Sequence, residues 1–98
     1  MYSELNGRRF EYDIAKSLSN KEKHGIDFEE AQQLWDDNRK VRLNSAYESE
    51  PRNLTIAKYN DDVYVAVTTD RDDKIRIISV RRAHDNEVRI YGETKNDR

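Results

Sequence analysis

The chain has 98 residues, of which 39% are charged and 35% hydrophobic, with a net charge of -2 and no cysteine. A chain this short makes one domain that buries roughly two-thirds of its extended surface, so its core is small; without cysteine it has neither disulfides nor thiolate metal sites. The acidic balance runs against the basic excess usual in RNA-binding domains, and periodic runs that hold Trp35, two Phe and six Tyr run against disorder.

Residues 1–7 read as a frayed end, followed by a short strand at residues 9–12. The absence of a signal-peptide h-region and of any membrane-length apolar run makes a cytoplasmic protein the expectation. Asp13 can N-cap a helix over residues 14–24, whose last turn suits Lys23 and His24 and whose left-handed cap suits Gly25. Asp27 and Glu30 have capping-box spacing for a second helix over residues 28–37, with Ile26 placed to staple against Ala31. Phe28, Ala31, Leu34 and Trp35 recur at helical spacing there and read as core.

Strands follow at residues 40–44, 54–59, 63–69 and 74–81, with turns at residues 60–62 and 70–73. Val63, Val65 and Val67 alternate with Tyr64, Ala66 and Thr68, the pattern of an antiparallel strand covered on one face. Residues 45–53 hold the only proline, Pro51, and read as a mobile surface loop. A short last helix opens near His84 and reaches Tyr91, and residues 94–98 read as frayed. The expected architecture is a single α+β domain over residues 1–98, with two N-terminal helices, an antiparallel meander and a short C-terminal helix.

Charge is segregated along this order. Residues 27–37 hold Asp27, Glu29, Glu30, Asp36 and Asp37 without a base, whereas residues 74–91 hold Lys74, Arg76, Arg81, Arg82 and Arg89 against Asp85 and Glu87. One face can therefore be locally positive on an acidic protein. The pairs Asp36-Asp37, Asp61-Asp62 and Asp72-Asp73 have turn and cap roles, not the spacing of a calcium loop, and two separate histidines make no zinc site. No metal or other cofactor is expected.

Two segments, residues 10–37 and 75–91, resemble the BrnT family of toxins from bacterial toxin-antitoxin pairs. Typical members read roughly FEWDxxKxxxNxxKHGxxFEEA near the start and IRIISARxAxxxExxxY near the end. The matching residues here include Phe10, Glu11, Asp13, Lys16, Asn20, Lys23, His24, Gly25 and Phe28 to Ala31, then Ile75 to Ser79, Arg81, Ala83, Glu87 and Tyr91. Tyr12 stands where tryptophan is common, Ile14 where proline is, and His84 where threonine is. The resemblance implies a RelE-like ribonuclease neutralised by an antitoxin that covers the basic patch. It further implies a ribbon-helix-helix antitoxin similar to BrnA, contact with operator DNA only through that antitoxin, and a toxin-antitoxin heterotetramer.

Metal-free RNA cleavage needs a group to take the 2′-hydroxyl proton, cations for the phosphorane-like charge and a donor for the leaving 5′-oxygen. Arginine suits the second task because its fork holds two phosphate oxygens and stays charged. Arg76, Arg81, His84 and Tyr91 are the candidate catalytic residues, and Lys23, Arg71 and Arg82 the candidate RNA contacts. By strand alternation Arg76 and Arg82 point one way and Arg81 the other, unless the strand twists or ends before Val80. His84, beside the arginines at a helix N-terminus, is the candidate base, or else a replacement for an N-cap, with Asp85 able to cap one residue later. Lys23 reads first as a helix-end cation. A different class remains open: a catalytically silent interaction module that binds the antitoxin and shares in operon repression.

Overall fold

Asn6 and Gly7 take positive φ, 52° and 83°, the pair of left-handed residues that a tight hairpin turn requires. They fold β1 (Tyr2–Leu5) back onto β2 (Arg8–Glu11), so residues expected to fray form an edge strand in register Tyr2↔Glu11 to Leu5↔Arg8. This computed structural model describes residues 1–47 and 50–96.

After β2, Asp13 accepts the Lys16 amide at 3.1 Å and opens α1 (Ile14–His24). Gly25 closes it at φ 78°, its amide bonded to Lys21. Asp27 and Glu30 form the capping box of α2 (Phe28–Ala31), bonding each other's backbone amides at 2.7 and 2.9 Å. The second helix is not continuous to Asp37: after one α-turn it tightens into a 3₁₀ helix, Gln32–Asp36. The apolar stripe expected of it is nevertheless buried, with Phe28, Ala31, Leu34 and Trp35 in the core and Trp35 edge-on to Phe10 at 5.1 Å.

Four antiparallel strands follow, β3 (Val41–Tyr47), β4 (Glu50–Tyr59), β5 (Asp62–Arg71) and β6 (Lys74–Arg82), and then α3 (Asp85–Asn96). Two expectations are overturned here. The chain opens with strands rather than helices, and the sheet, ordered β1-β2-β6-β5-β4-β3, is mixed, because β2 pairs parallel to β6 through Phe10↔Ile75 and Glu11↔Arg76. The span read as a loop, residues 45–53, instead extends β3 and β4 in register Ser45↔Arg52 and Ala46↔Pro51; residues 48 and 49 lie outside the described residues. Pro51 is accommodated because the β5 ladder begins only at Asn53↔Thr68. The last helix runs past Tyr91 to Asn96, and residues 97 and 98 lie outside the described residues.

Both faces of β5 are covered, not one. Tyr64 and Ala66 join the main core under α1 and α2, whereas Val65 packs with Ile56 and Tyr91 beneath α3. Alternate positions of one strand thus feed two clusters, and α3 roofs only the half of its face that lies over β3 and β4. No helix among the described residues is long and apolar enough to cross a membrane.

Candidate active site

The face that α3 half covers is assembled by one irregularity. Val67 pairs with Ser79 and Thr68 with Ile77, so β6 carries an extra residue, Ile78, opposite β5. That bulge resets the alternation: Arg81 faces Val65 and Arg76 faces Thr69, two positions of equal parity on β5. Arg76 and Arg81 therefore share a face, and Arg82, paired with Tyr64, lies on the other. The simple alternation expected from sequence fails because it assumes an unbroken strand.

Each of the two arginines has its own carboxylate. Glu87, in the first turn of α3, accepts Arg81 Nη1 and Nη2 at 2.8 and 2.9 Å, a bidentate fork. The same Glu87 accepts the His84 amide at 2.7 Å and stands 3.7 Å from His84 Nδ1. Its carboxyl pKa is lowered to about 2, first by the Arg81 hydrogen bonds and against the effect of burial. His84 O in turn receives the Glu87 and Val88 amides, so His84 holds the N-cap position through its backbone while its side chain stays exposed. Arg81, Glu87 and His84 form one connected group.

A second group lies along a row that crosses the sheet. Glu11 on β2 accepts Arg76 Nη1 at 3.0 Å and lies 3.7 Å from Arg71 Nη1. Arg76 pairs with Thr69, and Arg52, one residue before the Asn53↔Thr68 pair, stands beside Thr69 on β4. Arg52 Nε is a buried side-chain polar atom with no hydrogen-bond partner among the described residues. An orphaned buried donor costs about 1–3 kcal/mol, which a bound acceptor would recover.

The remaining candidates are placed elsewhere. Tyr91 is buried, and its hydroxyl donates to Asp37 Oδ2 at 2.7 Å. Burial first, then that hydrogen bond, pushes its pKa up to about 12. Asp37 also accepts the Lys58 and Arg39 amides, which ties α3 to β4; burial opposes its ionisation, but these donors hold its pKa below the usual value. Arg82 is mostly exposed, paired with Asp62 at 3.2 Å and stacked over Tyr64. Lys23 lies in the last turn of α1, beside a cleft of about 200 Å³ that Lys16, His24, Ile78 and Ser79 also line.

Sequence reasoning missed Glu11, Glu87 and Arg52 as members of this face. Glu11 and Glu87 match the motifs, yet nothing local signals that Glu11 meets an arginine 65 positions away. Arg52 was hidden in a segment read as a loop. Among the described residues, no group of three or more His, Asp or Glu side chains could hold a metal ion.

No curated protein matches the chain. The model of the family described as "Ribonuclease toxin, BrnT, of type II toxin-antitoxin system" does match it, over residues 12–87. That span begins just after β2 and runs through β6 to Glu87, and so takes in Arg76, Arg81 and the carboxylate that grips Arg81, while Glu11 lies just outside it. The chain belongs to the BrnT family of ribonuclease toxins of type II toxin-antitoxin systems.

Proposed function

We propose that this protein is the toxin of a type II pair and an endoribonuclease that cleaves RNA without a metal, by attack of a 2′-hydroxyl on the adjacent phosphate. The observation that carries the reading is the Arg81-Glu87-His84 group, in which one carboxylate grips a guanidinium by a fork, accepts the His84 amide and stands 3.7 Å from the imidazole. His84 takes the 2′-hydroxyl proton, and the nearby Glu87 carboxylate stabilises the imidazolium that forms. Arg81 holds the non-bridging oxygens as charge builds on phosphorus. The leaving 5′-oxygen faces solvent, which supplies its proton, and the products are a 2′,3′-cyclic phosphate and a 5′-hydroxyl end. The burial of Tyr91 against Asp37 suits a packing role for its ring.

The partner in this reading is a ribbon-helix-helix antitoxin that blocks the arginine face, reaches operator DNA on the toxin's behalf and assembles with it as a heterotetramer in the cytoplasm. Induced alone, the protein should arrest bacterial growth. Arg81→Ala and His84→Ala should each relieve the arrest while the protein remains folded by circular dichroism; two folded variants of undiminished toxicity would refute the site.

A second reading has its own supporting observation: Arg76 and Arg81 are both ion-paired within the chain. A silent module that keeps the fold and binds the antitoxin would use such pairs only to brace the sheet. A wild-type protein that forms the antitoxin complex but leaves growth and RNA untouched would select it.

A further inference from the structure

The two groups on the open sheet face differ in a way that cleavage at a single phosphate does not require. The Arg81 group is closed on itself, with its carboxylate held by a fork and a backbone amide. The row Glu11, Arg76, Thr69, Arg52 is not. It sets two guanidinium groups, Arg71 and Arg76, around one carboxylate, adds a third, Arg52, across Thr69, and leaves the buried Arg52 Nε-H unpaired among the described residues. A net positive cluster with an orphaned donor is matched by an anion that accepts hydrogen bonds.

Distance keeps the groups apart. Arg81 and Arg76 face Val65 and Thr69, four residues apart on β5, a backbone separation of about 13 Å. One phosphate does not span that interval with both arginines held by their carboxylates. A single strand of nucleic acid, laid along β6, would put one phosphate at each end.

Resting on the reading of the Arg81 group as the cleavage centre, we propose that Arg52, Arg71 and Arg76 form a second phosphate subsite, which grips the RNA backbone beside the scissile phosphate. Arg52 is its principal donor, Glu11 positions Arg76 and Arg71, and Thr69 spaces Arg52 from Arg76. The bulge at Ile78 matters to this subsite because without it Arg76 and Arg81 would face opposite sides of the sheet. The ligand is a backbone phosphodiester of single-stranded RNA, read by charge and not by base.

The test compares a dinucleotide with a ten-nucleotide RNA of the same cleavable step. Arg52→Ala should raise KM for the ten-nucleotide substrate about tenfold with kcat nearly unchanged, and should leave both constants for the dinucleotide as in wild type. The salt dependence of binding to a 2′-deoxy, noncleavable ten-nucleotide analogue should drop by roughly one phosphate contact in that variant. Arg52→Lys, which keeps the charge and loses the Nε donor, should fall between the two. If KM and salt slope are unchanged by Arg52→Ala, or if kcat for the dinucleotide falls as much as for the longer RNA, the subsite does not exist as described. A wild-type protein that binds the analogue with the Arg52-dependent slope but cleaves neither RNA would remove the cleavage reading and leave the phosphate subsite standing.

Discussion

Glu87 is the residue on which the proposed chemistry and the stability of the α3 junction meet. Its folded pKa of about 2 lies below the ordinary glutamate value of 4.5. A depressed carboxyl contributes stability that is present above the unfolded pKa and lost as pH falls through the folded one. The contribution is on the order of 3 kcal/mol at neutral pH, so thermal unfolding should show stability declining between about pH 4.5 and 2. Glu87→Gln should flatten that decline and release Arg81; an unchanged acid limb would mean the fork does not form in solution. Tyr91→Phe removes only the bond to Asp37 and should cost about 1 kcal/mol while RNA cleavage persists. Loss of cleavage in a folded Tyr91→Phe protein would return the hydroxyl to the active centre. At this scale the arginines were legible in the sequence, whereas their carboxylate partners were not, because only the fold brings Glu11 to Arg76.

Among the elements, α1 shows why periodicity alone misjudges this fold. It turns Ile14 and Leu18 to solvent and buries Ser17 and Asn20, the reverse of a core-facing helix. The buried pair works by hydrogen bonding. Ser17 Oγ accepts the Phe28 amide, and the Asn20 amide group bonds Ile26 O and both backbone groups of Val80, in place of a neighbouring strand where β6 extends past β2. Asn20→Ala would orphan those groups and should cost roughly 2–4 kcal/mol, read by urea unfolding. A cost near zero would show that water serves that edge equally well. The cap residues Asp13, Gly25, Asp27 and Glu30 were readable because each acts within one helical turn. The β6 bulge shows only against its partner strand β5, and local pattern carries no trace of it; the β1 hairpin, by contrast, is local, and its Asn6-Gly7 pair is a turn signal that the reading of residues 1–7 as a frayed end passes over.

At the scale of the whole molecule, the small core concentrates stability in few side chains. Trp35 lies in the main cluster against Phe10, and Trp35→Ala should lower stability by about 3–5 kcal/mol, a large share of what a domain of this size has; near-unchanged thermal unfolding would place the ring outside the core. On the side of the sheet opposite Arg76 and Arg81, α2 exposes the acidic Glu29. A net charge of -2 is thus compatible with a locally cationic face, which composition could not reveal. The claim that this face cleaves RNA is tested most directly by mass analysis of RNA ends after incubation with purified protein in the presence of a metal chelator. The expected products carry 2′,3′-cyclic phosphate and 5′-hydroxyl ends, at a rate that Arg81→Ala lowers by about 10²-fold or more. Cleavage by a folded Arg81→Ala protein at the wild-type rate, or ends bearing a 5′-phosphate, would contradict it.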